Sequence, residues 1–143
     1  MTDDDLSPSA AVAASETGSA AWREAVHAQL AAEPDHSEFY AVTAEVVDTL
    51  RSLSGMADVL GRQIAGYGQG RTLRDDAGAD PAERLADAGA ELEMARQAVD
   101  CAERAVNRFW SQIGHIGIEY RLTDTGDQDA VESGAADKEG DGS

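Results

Sequence analysis

From residue 85 onward, apolar side chains recur at alternating intervals of three and four: Leu85, Ala88, Leu92, Ala95, Val99, Ala102, Val106, Phe109, Ile113, Ile116 and Tyr120. That spacing keeps one stripe on one side of an α-helix, and its persistence predicts a long helix over 81–120. The start signal agrees: Asp80 stands where an N-cap accepts from free amides, Pro81 suits the first helical position, and Glu83 occupies the capping-box place. The stripe has two registers. One is Leu85, Leu92, Val99, Val106, Ile113 and Tyr120; the other is Ala88, Ala95, Ala102, Phe109 and Ile116, whose alanines permit close approach by a neighbouring helix.

A second helix is predicted over 37–66. Asp35-His36-Ser37-Glu38 reads as a capping box after Pro34, and Phe39, Val46, Leu53, Leu60 and Tyr67 follow every seven residues. Val42, Leu50, Met56, Ala57 and Ile64 widen this stripe beyond what one neighbour can cover, so two neighbours are expected. The glycines of Gly66-Tyr67-Gly68-Gln69-Gly70 end the helix, and a polar loop leads to Asp80. A third, shorter helix is expected over 20–32, capped by Ser19, with Trp22, Val26 and Leu30 on one face and a stop at Glu33-Pro34. The fold class that follows is all-α: a long antiparallel helical hairpin with a short N-terminal helix.

Pairing Tyr67 with about Pro81 at the turn sets Phe39 opposite Phe109, so that everything past Phe109 overhangs its partner. The overhang is the most apolar part of the chain, Phe109-Trp110-Ser111-Gln112-Ile113-Gly114-His115-Ile116-Gly117-Ile118-Glu119-Tyr120. Phe109, Trp110, Ile113, Ile116, Ile118 and Tyr120 are therefore the candidate interaction surface, either ordinary core beneath Trp22, Val26 and Leu30 of the N-terminal helix or a contact for a protein partner or a second copy. Gly114 and Gly117 each cost a helix interior about 1 kcal/mol. They mark a close helix crossing, or else the helix stops near Gln112 and Ile116, Ile118, Tyr120 and Leu122 alternate along an extended segment.

Composition bounds the rest. The 143 residues carry a net charge of −17. Residues 1–18 contribute four acids and no base, and 123–143 contribute seven acids and Lys138, with Val131 as their one large aliphatic residue. Both segments read as disordered acidic tails around a domain at 19–122, since so little apolar surface cannot offset the entropy of ordering. Clustered basic residues are missing, which argues against nucleic acid as a partner. No stretch approaches membrane-spanning length, there is no basic leader followed by an apolar core, and Cys101 is alone, so a cytoplasmic protein with no membrane association is expected. One lysine against ten arginines, with abundant alanine, glycine and aspartate, is the imprint of a GC-rich genome.

Candidate chemistry is sparse. Glu24-Ala25-Val26-His27 has the spacing of di-iron bundles, but the inward seams are apolar and supply no further carboxylates. His36 reads as part of a cap and His115 as a surface residue, so no metal or cofactor is expected. The loop Gly66 to Arg74 follows a helix rather than a strand and ends in Asp75-Asp76, unlike a phosphate cradle; Arg71 and Arg74 are its candidate contact points on a flexible tip. No nucleophile elbow or triad spacing occurs, so no catalytic residue is assigned and the chain is expected to be a non-enzymatic helical interaction protein, with a small metal-binding enzyme as the residual alternative.

At Tyr120-Arg121-Leu122-Thr123-Asp124 the chain resembles the small helical-hairpin substrates of the actinobacterial type VII secretion system, in which Tyr-x-x-x-Asp/Glu follows the hairpin. The resemblance covers residues 37–124. It implies an often dimeric hairpin and an export signal at Tyr120 and Asp124; the turn of that family carries Trp-x-Gly where this chain has Gly66-Tyr67-Gly68.

Overall fold

The computed structural model describes residues 7–117 and Glu119. They form three helices, α1 over Ala10–Leu30, α2 over His36–Gly66 and α3 over Pro81–Ile113, with no strand among the described residues. The chain is all-α.

The start signals read from the sequence are in place. Asp35 Oδ1 accepts from the Glu38 amide at 2.9 Å while Glu38 Oε2 accepts from the Asp35 amide at 3.3 Å, closing the capping box of α2. At α3, Pro81 is the first helical residue and Asp80 accepts from the Ala82 amide at 3.0 Å, while Glu83 sits in the first turn, where a negative charge meets the positive end of the helix dipole. The third start lies elsewhere. Ser9 rather than Ser19 caps α1, accepting from the Val12 amide, so residues 10–18 are helical where their composition reads as a tail. Ala10-Ala11 and Ala13-Ala14 have the highest intrinsic helix propensity, which forms a helix without needing an apolar stripe to bury.

α2 and α3 pack antiparallel. Arg51 of α2 meets Glu103 of α3 at 2.7 Å, and Ser54 Oγ donates to Asp100 Oδ1 at 2.6 Å, so three steps forward along α2 are answered by three steps back along α3. This register places Phe39 near the height of residue 115, about six residues from the pairing with Phe109 that the turn arithmetic gives. The cause is the connecting loop. Gly68 packs against Leu73 and Leu85, so α2 ends level with the second turn of α3, and the loop continues beyond that point before Pro81 starts the return. α3 also stops at Ile113, with Gly114 and His115 in a turn, short of the expected residue 120. Consequently α3 has no long overhang. At Gly114 a side chain of α2 presses against α3: a Cβ there would collide with the Tyr40 hydroxyl, which accounts for one glycine of the tip. The alternative of an extended segment through Leu122 falls mostly outside the described residues.

The seam between the helices is narrow. On α2 it follows Tyr40, Thr43, Val47, Leu50, Ser54, Ala57, Gly61 and Ile64; only Thr43 and Val47 are buried, and the rest are half-buried. On α3 it follows Leu85, Gly89, Leu92, Arg96, Val99, Glu103, Val106, Trp110 and Ile113, all half-buried. One predicted register of α3, the Leu85 to Ile113 line, faces inward. The alanine register does not: Ala88, Ala95, Ala102, Phe109 and Ile116 are exposed. Likewise most of the heptad line of α2 is turned outward: Phe39, Leu53, Leu60 and Tyr67 are exposed, Leu53 at 51%, and Val46 is half-buried. α2 therefore touches one helix rather than the two its broad stripe suggests, and α1 contacts neither α2 nor α3.

Two outcomes follow. Asp35→Ala removes the acceptor for the Glu38 amide and costs about 1 kcal/mol, seen as a fall of a few degrees in Tm, whereas Glu38→Gln keeps the reciprocal bond and leaves Tm nearly unchanged. In amide hydrogen exchange, α1 exchanges orders of magnitude faster than the Thr43–Leu50 segment, because a helix without tertiary contacts opens by itself; equal protection in the two segments would contradict this arrangement.

Candidate interaction face

The residues of the apolar tip separate into two groups. Trp110 and Ile113 lie in the seam and Trp110 stacks edge-on against Tyr40, with ring centroids 5.8 Å apart, beside a tilted His36–Tyr40 pair at 5.1 Å. The Trp110 Nε1 is buried there without a hydrogen-bond partner. This cluster closes the end of the hairpin. Phe109 and Ile116 instead stand open, at 46% and 59% exposure. Ile118, Tyr120 and Asp124 lie outside the described residues, so the candidate export signal does too.

Trp22, Val26 and Leu30 do not shelter this end. Trp22 is half-buried against its own helix, while Val26 and Leu30 are exposed, Leu30 at 79%, because α1 leaves α2 through Ala31-Ala32-Glu33-Pro34 and packs on neither rod. The loop contacts also differ from expectation. Arg71 folds back over the Tyr67 ring, 4.6 Å from its centroid, and donates to the Tyr67 carbonyl at 2.9 Å; Arg74 is exposed. The loop is braced rather than loose: Asp75 accepts from the Ala77 and Ala79 amides and pairs with Arg84 at 2.8 Å, and Gly70 and Gly78 take the left-handed backbone its turns require. Those amide bonds, that of Ala79 foremost, hold the Asp75 carboxyl below its ordinary pKa.

The larger feature is one that the tip alone does not reveal. In α2 the line Phe39, Val46, Leu53, Leu60, Tyr67 lies one heptad step, about 50°, to one side of the seam, and in α3 the line Ala88, Ala95, Ala102, Phe109 lies one step to the same side in sequence sense. In two antiparallel helices, equal offsets of this kind point to the same face of the pair. The described register brings the two lines level: Val46 with Phe109, Leu53 with Ala102, Leu60 with Ala95 and Tyr67 with Ala88, each within one residue. Val42 and Met56 extend the same side of α2. Periodicity showed both lines; which side of each helix would be left over depended on the packing.

The opposite face is polar. Arg96 donates to Glu93 at 2.6 Å and to Asp100 at 2.9 Å, Gln97 donates to Glu93 at 3.0 Å, and Arg51–Glu103 and Ser54–Asp100 continue the array across the helices. The Arg96 hydrogen bond, then that of Gln97, holds Glu93 well below the usual carboxylate range, at about 2, and the same pairing raises Arg96. Near the loop this side also has a shallow apolar trough lined by Gly61, Ala65, Gly68, Leu85, Ala86 and Gly89, which contains no titratable group. Among the described residues no three His, Cys, Asp or Glu side chains converge as metal ligands, and no helix is long and apolar enough to cross a membrane.

The structure therefore defines a class, an all-α chain built on a two-helix rod with one polar and one apolar face. Comparison with family models, with curated proteins and with solved structures finds no match for it.

The polar face has a pH signature. Glu93 titrates lower in the folded chain than in the unfolded one, so its contribution is fully present above about pH 5 and is lost as pH falls toward 2. Melting curves of the wild type and Glu93→Gln should differ most near pH 7 and converge near pH 2; a constant difference across that range would show that the pairing does not operate.

Proposed function

We infer that this protein is a non-enzymatic interaction protein, which works by presenting the apolar face of the α2–α3 rod to helical protein surface. The observation that carries this reading is the imbalance between what the rod buries and what it displays. Val47 is the one buried apolar residue among those described, at 3% exposure, while Phe39, Val42, Leu53, Met56, Leu60 and Tyr67 stand exposed along one side of α2. Burying a single valine is worth about 2 kcal/mol and the other apolar residues of the seam are only half-buried, whereas ordering each backbone residue costs about 1–2 kcal/mol, so the isolated rod leans heavily on helix hydrogen bonds and propensity. A continuous apolar strip of this length on a surface marks a binding site. Its chemistry suits another helix: large side chains on one rod and alanines on the other.

Nothing in the site calls for catalysis. The aromatic cluster at the hairpin end is packed by its own rings, and the charged groups of the polar face are engaged with one another. The acidic terminal segments add solubility to a chain that displays so much apolar surface.

Photo-activatable side chains placed at Leu60 on the apolar face and at Asp48 on the other side test the reading in the cells that make the protein. Discrete protein adducts are expected from Leu60 and none from Asp48. Adducts of equal yield from both positions, or none from either, would reject a dedicated face.

A further inference from the structure

We propose that the occupant of the apolar face is a second copy of this chain, joined about a two-fold axis parallel to the helices to make a four-helix bundle. This rests on the reading above and assigns the partner. A two-fold axis along the rod preserves height and exchanges the columns, so α2 of one copy lies over α3 of the other. Leu53 then meets Ala102 of the second copy, Leu60 meets Ala95 and Tyr67 meets Ala88, large against small at three successive levels, while Val46 meets Phe109. Every neighbouring pair of helices in such a bundle is antiparallel. A two-fold axis across the rod would instead stack α2 on α2 and α3 on α3. Bulky residues would then meet bulky ones on one side and alanine would meet alanine on the other, wedging the two rods apart.

Beyond the apolar line, α2 carries Glu45 and α3 carries Arg108, both exposed, and neither is in any ion pair among the described residues. In the two-fold arrangement along the rod they stand at nearly the same height on facing helices of different copies. The pair occurs twice by symmetry. Between them the rim meets Thr49 with Ala105 and Met56 with Ala98, so no like charges are brought together there.

α2 is 31 residues long, about 46 Å. With roughly 70–100 Å² exposed on each large side chain of the strip and less on each alanine, one rod offers about 800 Å², the standard contribution of one partner to a stable interface.

The test uses the full chain of 15.0 kDa. Sedimentation equilibrium at micromolar concentration should give twice that mass, and Leu53→Glu with Leu60→Glu should return the mass of one chain. Should that variant lose helicity, Glu45→Lys keeps the question open to refutation. It should raise the dimer Kd about tenfold, and adding Arg108→Glu should restore it. Spin labels on Gln69→Cys in a Cys101→Ser background should lie within about 35 Å of each other, because the axis along the rod sets both loops at one end. A separation near the length of α2, about 46 Å or more, would overturn the arrangement. A full chain of single mass would overturn self-association. If Leu60 in that monomer still photo-labels another protein, the interaction face stands without the dimer; if it labels nothing, both readings fall.

Discussion

Two helices lying side by side can each hide one narrow stripe, and the rest of this structure depends on which stripe was chosen. α2 carries apolar residues over nearly half its circumference, and α3 carries two adjacent lines of them. Packing turns inward the line through Val47 and Leu50 on α2 and the line through Leu85, Leu92, Val99 and Val106 on α3. Everything one step further round is left outside. Because the heptad repeat holds without a break along both rods, the leftover stays on one face instead of winding around the pair.

Polar residues decide the direction of that choice. The α3 seam includes Arg96 and Glu103 at positions where an apolar residue would pack better, and the α2 seam includes Ser54. Arg51 with Glu103 and Ser54 with Asp100 tie the rods together on one side and set their height. Partly exposed pairs of this kind add little stability, typically under ~1 kcal/mol each. Their effect is specificity: slipping the rods by one turn, or rolling them so that the alanine line faced inward, would break these contacts and leave carboxylates beside apolar neighbours. The Tyr40, Trp110 and Gly114 contact closes the other end in the same register.

The rod thus has one face on which its polar groups satisfy one another and one on which its apolar side chains remain exposed. α1 stands apart from both. Its alanines make a helix that needs no support from the rod, and the short link through Pro34 joins it to the start of α2 without placing its Trp22 face against either rod.

The local code was legible in the residues themselves. The Asp35 and Asp80 starts, the glycine stop after α2 and the heptads fixed the type and most of the extent of α2 and α3, because caps, turns and periodicity act within a few residues of one another. The start of α1 is not legible in the same way: no apolar stripe marks residues 10–18, and alanine propensity makes a helix there without burial. What no single stretch could decide was register and facing. Both lines of α3 satisfy the same helical period, and Ala102 and Glu103 differ in position by one residue only, so the inward side was settled where the two rods met through Arg51, Ser54 and the Gly68–Leu73–Leu85 turn. Local interactions determine that helices form; the choice of which stripe enters the seam and which stays exposed exists only once the second helix is in contact.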